Sequence, residues 1–249
     1  MVDRPPGLQP KCTFIDHDGS LAIGKFPSLG DGRSVTRGEV LALSLAASAG
    51  LTAAQARIVL VEGAPVAAIT RFDREADDGR TPYQSAASML QAARDDERSY
   101  TDIADVIRSY ALDPARDLTE LWRRMAFNLL ITNTDDHLRN HGFLHVAHGL
   151  WCLAPAFDLN PFPDRDRESK TWLAPVDGPI SDIRALLGRC DHFGLTVDAA
   201  RAVLAHVVRA VRNWRELAVS PDVGMSKAEL TDFAPAFEHD QVTAATTLL

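Results

Sequence analysis

Asn133-Thr134-Asp135-Asp136-His137-Leu138-Arg139-Asn140 is the stretch that decides the predicted fold, together with Phe157-Asp158-Leu159, whose acid follows Asn140 by eighteen residues. The two segments supply a carboxylate at Asp135, an amide at Asn140 and a second carboxylate at Asp158. A carboxylate can accept the proton of an attacking hydroxyl, whereas a neutral amide oxygen can hold Mg²⁺ without adding a competing charge. Such a set predicts a site for ATP and Mg²⁺ at which a phosphoryl group is transferred.

The spacing of Asp135 and Asn140 is that of a protein-kinase catalytic loop, in which the amide follows the acid by five positions. The chain has 25 aspartates and 5 asparagines among 249 residues, so about 0.5 such pairs are expected by chance and the spacing alone is weak. Its context adds weight. An apolar helical pattern over 121–131 precedes the loop, a hairpin pattern over 142–153 follows it, and Asp158 then stands at a strand end, as an acid that bridges Mg²⁺ to phosphates would.

An upstream lysine supplies the other half of such a site. Leu21-Ala22-Ile23-Gly24-Lys25 is similar to the strand whose lysine pairs with the α- and β-phosphates, and Glu39 lies on the next predicted helix, where it can hold that lysine. The competing interpretation is a surface lysine and a solvated glutamate. Gly7-Leu8-Gln9-Pro10-Lys11 precedes the first predicted strand and can curl its backbone N–H groups over phosphates, although its single glycine also fits a frayed N-terminus.

The remaining pattern predicts an α+β chain of two lobes. Turn signals at 18–19 and 62–63 mark hairpins within 11–27 and 57–72, and a helix over 35–49 between them ends at Gly50. From about residue 82 onward, apolar residues recur at three- and four-residue spacing. Helices are predicted over 85–93, 100–110, 118–131 and 197–217, with a hairpin over 142–153 and a charged loop over 164–170. We therefore expect a small β-rich lobe over 1–75 and a larger, mainly helical lobe over 76–249.

Composition excludes several classes of function. The formal net charge of −8 repels a phosphate backbone, which argues against direct binding to nucleic acid. The chain starts without an apolar signal segment and has no run near the roughly 18 apolar residues of a membrane span, so we expect a soluble, cytoplasmic protein that does not bind membranes. Cys12, Cys152 and Cys190 form no C-x-x-C pair, which argues against a disulfide framework and a cysteine zinc site.

Five segments, in this order, resemble the HipA-like serine/threonine kinases, the toxin components of bacterial toxin-antitoxin pairs, whose fold is related to protein kinases and phosphatidylinositol 3/4-kinases. They are Gly7–Lys11, Ile23–Pro27, Arg71–Arg74, Thr134–Asn140 and Phe157-Asp158. The resemblance implies that Asp135 is the catalytic base, that Asn140 and Asp158 bind Mg²⁺, and that Thr70 to Phe72 form the hinge facing adenine. The ATP contacts that it implies are Gly7, Leu8, Gln9, Lys11, Lys25, Thr70, Arg71, Phe72, His137, Arg139, Asn140 and Phe157.

The resemblance further implies a protein kinase whose substrate is a translation factor such as an aminoacyl-tRNA synthetase. Its implied partners are a helix-turn-helix antitoxin, which gives an acidic chain an indirect route to DNA, and a separately encoded N-terminal module, because this chain begins almost on the phosphate loop. Asp3-Arg4-Pro5-Pro6 offers no counterpart to the regulatory serines of some relatives. Position 136 is Asp where a small residue is usual, and this second carboxylate either alters metal binding or faces solvent.

Three other functions stay open. A kinase-like fold can bind nucleotide or a partner without turnover, which the short phosphate loop favours. A kinase of this fold can instead act on a small molecule or a lipid. Zinc chemistry is a third interpretation, since four of the eight histidines fall at 137, 141, 145 and 148, but Leu138 stands where a zinc helix carries glutamate.

Overall fold

The computed structural model describes residues 9–28, 30–74, 79–93, 96, 98–163 and 168–249. Four strands form an antiparallel sheet in its N-terminal part: β1 (Lys11–Ile15), β2 (Leu21–Lys25), β3 (Ala56–Val61) and β4 (Ala64–Thr70). Their order across the sheet is β1-β2-β4-β3, so the strand that ends at Lys25 lies in the interior. Both predicted hairpins are confirmed. They turn at Gly19 and Gly63, whose φ angles of 85° and 82° lie in the left-handed region that favours glycine.

One helix, α1 (Val35–Ser48), packs on this sheet against β3 and β4, as the predicted helix over 35–49 requires. The helix ends because Gly50 adopts a φ of 83°, which lets the N–H of Leu51 donate to the carbonyl of Ala46 at 3.0 Å. The same helix carries Glu39, which is fully buried. The sheet and α1 therefore present a strand-end lysine and a buried acid to the same region.

Eight helices follow in the described part of the chain: α2 (Ala86–Met89), α3 (Tyr100–Tyr110), α4 (Pro114–Leu130), α5 (Ile183–Gly188), α6 (Val197–Arg212), α7 (Trp214–Ala218), α8 (Lys227–Phe237) and α9 (Asp240–Thr247). α4 is central, since α3, α5, α6 and α9 all contact it. α3 has the predicted bounds. α4 begins at 114 rather than 118 because Asp113 caps it by accepting from the N–H of Arg116 at 3.1 Å. The predicted helix over 197–217 is divided at Asn213.

Five short strands lie among these helices. β5 (Tyr83–Ser85), β6 (Gly142–Ala147) and β7 (Leu150–Leu153) form one antiparallel sheet in that order, and β8 (Trp172–Ala174) pairs with β9 (Gly178–Pro179). The predicted hairpin over 142–153 is confirmed. The predicted helix over 85–93 is wrong for most of its length, because Ser85 pairs with Gly142 in the sheet and only α2 is helical.

The two parts of the chain meet through backbone hydrogen bonds. The N–H of Ala54 donates to the carbonyl of Ala156 at 2.9 Å, and the N–H of Ala156 donates to the carbonyl of Thr52 at 2.7 Å. The architecture is the predicted α+β arrangement of a small β-rich lobe and a larger helical lobe, and the predicted boundary falls beside residues 75–78, which lie outside the described residues. Within the described ranges, no helix combines the length and apolarity that a bilayer crossing requires.

Candidate active site

Lys25 lies between two acids that are far apart in sequence. Its Nζ donates to Glu39 Oε1 at 2.5 Å and to Asp158 Oδ1 at 2.8 Å. Glu39 comes from α1 and Asp158 from the segment after β7, so one ammonium joins the two lobes. The alternative of a surface lysine and a solvated glutamate does not fit, because the two side chains are 16% and 0% exposed. What the lysine binds beyond these acids stays a prediction.

The electrostatics of this group favour the charged forms of Lys25 and Asp158. Burial lowers the pKa of Lys25, but the charges of Glu39 and Asp158 outweigh it and raise that pKa above its ordinary value. Burial raises the pKa of Asp158, yet the charge of Lys25 and hydrogen bonds from Lys25 and Asn160 bring that pKa below its ordinary value. For Glu39, burial raises the pKa against the opposing charge of Lys25. Asp158 is therefore ionised at neutral pH, as a metal ligand must be.

Asp135 and Asn140 lie on the loop between α4 and β6. Asn140 Nδ2 donates to the backbone carbonyl of Asp135 at 3.0 Å, which leaves the amide oxygen available as a metal ligand. Asn160 connects this loop to the second acid, because its Nδ2 donates to Asp158 Oδ1 at 3.2 Å and its N–H donates to Asn133 Oδ1 at 3.3 Å. The backbone of Asp158 adopts a φ of 56°, which is uncommon for a residue other than glycine. Such backbone conformations are found most often at functional sites. Hydrogen bonds thus connect the loop that carries Asp135 and Asn140 to Asp158.

Asp136 is directed into the core, with 1% of its surface exposed. Its carboxylate accepts hydrogen bonds from Tyr100 Oη and from Asn128 Nδ2, the latter at 2.7 Å, and lies 2.9 Å from His141 Nε2. Thr171 Oγ1 donates to its backbone carbonyl at 2.7 Å. Neither expectation for Asp136 fits this position, because its carboxylate is bound by side chains of the core and ties the loop between α4 and β6 to α3 and α4. His141, one of the four clustered histidines, is likewise buried.

A cavity of about 260 Å³ opens beside Lys25. Phe72, Tyr83 and Phe157 line it as an aromatic wall, with ring centroids 5.6 Å apart for Phe72 and Phe157 and 6.3 Å apart for each of the other pairs. The segment Thr70 to Phe72, predicted as the hinge, lines the same cavity. Rings at these separations form a continuous apolar surface of the kind that receives a purine base.

Three residues of the site were missed by the sequence analysis: Tyr83, Asp73 and Lys170. Asp73 lines the cavity and holds Arg71, whose Nε donates to Asp73 Oδ1 at 2.8 Å. Lys170 pairs with Asp135. Tyr83 lies so close to the backbone of Gly142 that an added Cβ there would come within 2.6 Å of the phenol oxygen. Asp73 belongs to the segment Arg71–Arg74 but received no role there, and no local motif marks Tyr83 or Lys170. The signal for Tyr83 is a glycine in a strand, which permits such a close approach.

The residues present fit a nucleotide. Gln9 Nε2 and His137 Nδ1 are buried and have no hydrogen-bond partner among the described residues, so an outside ligand such as a phosphate group can satisfy them. The charge of Lys11 acts on Glu39, and that of His137 acts on Asp158. Of the predicted phosphate contacts, Lys25 thus binds both acids directly, and Lys11 and His137 lie near enough to act on Glu39 and Asp158.

Three other predicted ATP contacts have no place in this cavity that the structure describes. Gly7 and Leu8 lie outside the described residues, and Arg139 is exposed and does not line the cavity. Across the described ranges, no three His, Cys, Asp or Glu side chains gather as a metal site. A Mg²⁺ site of the kinase type needs fewer protein ligands, because phosphate oxygens and water complete the coordination. Asn140 and Asp158 suit that role.

Comparison with known proteins supports one family. The sequence profile described as the HipA-like C-terminal domain matches residues 4–215. Y4mE of Sinorhizobium fredii, named as a candidate kinase, is 27% identical over 178 residues, which are 61% of this chain and 41% of that protein. A Haemophilus influenzae protein with a similar name is 29% identical over 108 residues, 39% of this chain and 32% of that one. The matched part is less than half the length of each relative.

Solved structures show the same fold. HipA of Shewanella oneidensis MR-1, solved as a toxin-antitoxin system with HipB and operator DNA, has a TM-score of 0.76 at 18% identity and covers 96% of this chain and 63% of its own. The proinflammatory kinase CtkA of Helicobacter pylori has a TM-score of 0.71 at 15% identity and covers 95% and 93%. The fold of this chain is therefore that of these two proteins.

Proposed function

The chain belongs to the family of HipA-like C-terminal domains, and we propose that it is an ATP- and Mg²⁺-dependent kinase that phosphorylates a serine or threonine of a protein. Lys25 carries the proposal, because its ammonium binds Glu39 of α1 and Asp158 at once. In kinases, a helix glutamate of this kind pairs with the lysine that contacts the α- and β-phosphates. The acid that binds Mg²⁺ lies beside this pair. Asp135 and Asn140 then lie on the adjoining loop, which Asn160 connects to Asp158.

Each residue has a role in the proposed reaction. Lys25 and His137 bind phosphate oxygens, and the aromatic wall orients the adenine. The oxygen of the substrate hydroxyl attacks the γ-phosphorus while the bond from that phosphorus to the β,γ-bridging oxygen breaks, and Asp135 accepts the hydroxyl proton as ADP leaves. Asn140 and Asp158 would hold Mg²⁺, which would supply positive charge to neutralise the phosphate oxygens.

The proposal extends to partners. The Shewanella HipA was solved with HipB and operator DNA. A helix-turn-helix antitoxin is accordingly the proposed partner of this chain, and its net charge of −8 favours reaching DNA through that partner. A separately encoded N-terminal module and a translation-factor substrate such as an aminoacyl-tRNA synthetase rest on the family resemblance alone.

The test compares nucleotide binding with phosphoryl transfer. Wild type, Asp135→Ala and the exposed control Asp232→Ala are heated with and without ATP and Mg²⁺ and assayed for transfer of labelled γ-phosphate to protein. At a nucleotide concentration 100 times Kd, binding raises Tm by about 5–10 °C in a domain of this size. We expect that shift in all three proteins and transfer in wild type and Asp232→Ala only. A wild type that binds without transferring is a nucleotide-binding protein, and one that shows no shift excludes both functions.

A further inference from the structure

Lysine is rare in this chain, and most of its lysines lie at the candidate active site. Among 26 lysines and arginines, the lysines are Lys11, Lys25, Lys170 and Lys227. The charges of the first two act on Glu39, and the third binds Asp135. An ammonium is a compact point charge that binds phosphate oxygens without the fixed planar geometry of a guanidinium. A chain that otherwise uses arginine thus keeps lysine where phosphate is expected, and Lys170 is the one without an assigned role.

The backbone at Lys170 is fixed to the catalytic loop. Its N–H donates to the carbonyl of Thr134 at 3.3 Å, and Thr171 Oγ1 donates to the carbonyl of Asp136 at 2.7 Å. Thr171 is 2% exposed, and β8 begins directly after it. By contrast, the side chains of Lys170 and its partner Asp135 are 55% and 38% exposed. The backbone of Lys170 is therefore held in place by hydrogen bonds, whereas its ammonium group is exposed to solvent.

An ion pair this exposed adds little to folding stability, so its position calls for another explanation. A bound ATP brings the concentrated negative charge of its γ-phosphate to the base, and the ammonium can exchange a carboxylate oxygen for a phosphate oxygen at little cost. We propose that Lys170 is a catalytic residue that leaves Asp135 for the γ-phosphoryl group when ATP binds. The inference rests on the proposed kinase function.

The exchange gives both partners a role in transfer. Once Lys170 contacts a γ-phosphate oxygen, the carboxylate of Asp135 is free to accept the proton of the substrate hydroxyl. The new oxygen–phosphorus bond forms as the bond to the β,γ-bridging oxygen breaks, and Lys170 keeps its protons throughout while it neutralises charge on the transferred group. In this arrangement Lys25 binds the α- and β-phosphates, and Lys170 binds the γ-phosphate.

The decisive experiment needs no turnover. Calorimetry measures the affinities of wild type, Lys170→Met and Lys227→Met for ADP and for a non-hydrolysable ATP analogue, each with Mg²⁺. Lys227 is the matched control, because it is exposed at the start of α8. Lys170→Met loses one charge-assisted contact to the γ-phosphate, so its affinity for the analogue should fall by about 10-fold or more relative to its affinity for ADP. Lys227→Met should keep the wild-type ratio of the two affinities.

The outcomes separate this inference from the kinase proposal. If Lys170→Met lowers the affinities for both nucleotides equally, or lowers neither, the inference is overturned while the kinase proposal stands. If wild type binds neither nucleotide, both fail. Kinetics give a second readout: kcat of Lys170→Met falls about 100-fold at an unchanged thermal midpoint, and Lys170→Arg, which keeps the charge, recovers part of it. Wild-type kcat in Lys170→Met would also overturn the inference.

Discussion

Gly142→Ala should damage the cavity lined by Phe72, Tyr83 and Phe157 without altering any charged residue of the candidate site. An alanine Cβ at this position would collide with Tyr83 Cε2 and lie 2.6 Å from its Oη and 2.7 Å from its Cζ, so the ring must move. Tyr83 is 37% exposed and can swing outward, away from Phe72 and Phe157. The substitution therefore opens the aromatic wall instead of disrupting the core.

The size of the effect follows from the two aromatic pairs that are lost. Each pair contributes about 0.5–1.5 kcal/mol, so the free energy of unfolding should fall by about 1–3 kcal/mol, which is also the usual cost of overpacking. A base that loses one stacking partner loses about 1–3 kcal/mol of binding free energy, which weakens the Kd for nucleotide by about 5- to 150-fold.

A double-mutant cycle isolates the cause. Urea unfolding and nucleotide titration are measured on wild type, Gly142→Ala, Tyr83→Ala and the double variant. Since the collision partner is absent from Tyr83→Ala, the added alanine should then cost less than about 0.5 kcal/mol. Gly188→Ala is the control, because no heavy atom lies within 4 Å of its added Cβ. Additive effects in the cycle, or a Gly142→Ala protein with wild-type stability and Kd, would refute the reasoning.

Three further outcomes are expected. Lys25→Met leaves Glu39 fully buried without its ammonium and should lower the free energy of unfolding by about 3 kcal/mol in urea, a loss that Glu39→Gln in the same chain should largely reverse. Asp136→Ala leaves the donors around that buried carboxylate unpaired and should cost about 3–5 kcal/mol; a loss below 1 kcal/mol would contradict the assigned network. Burial raises the pKa of Tyr83 from 10.0 to about 12, so the phenolate absorbance that Tyr83→Phe removes should titrate near pH 12, and because the unfolded tyrosine ionises first, stability should fall between these two pH values.

Features with a local cause could be predicted from the sequence. The hairpins turn where glycine supplies a positive φ, and α1 ends before Gly50 for the same reason. The candidate site residues could be predicted because each belongs to a short motif on a predictable element: Lys25, Glu39, Asp135, Asn140 and Asp158. The structure then brought Lys25 and Glu39 together across 14 positions of sequence.

Features with a tertiary cause could not be predicted. The pattern over 85–93 has helical spacing, yet Ser85 is held in a sheet by Gly142, a residue 57 positions away, and this pairing outweighs the local preference. The sequence left open whether Asp136 alters metal binding or faces solvent, and its burial could not be predicted because its three neighbours, Tyr100, Asn128 and His141, come from different parts of the chain. Lys170 comes from a charged loop whose sequence does not reveal that the next residue, Thr171, binds the backbone of Asp136.

The position of Lys25 bears on the order in which ligands load. One carboxylate oxygen of Asp158 already accepts a hydrogen bond from the ammonium of Lys25, which Glu39 also binds. Free Mg²⁺ must therefore compete with this ammonium for Asp158. A nucleotide changes the competition, because its phosphates draw the ammonium away and add oxygen ligands for the metal. We therefore expect Mg²⁺ alone to bind weakly, and metal and nucleotide to strengthen each other's binding by the same factor, as linkage requires. If the chain is the proposed kinase, we therefore expect its cleft to take up the Mg²⁺–nucleotide complex as a unit in preference to the bare ion.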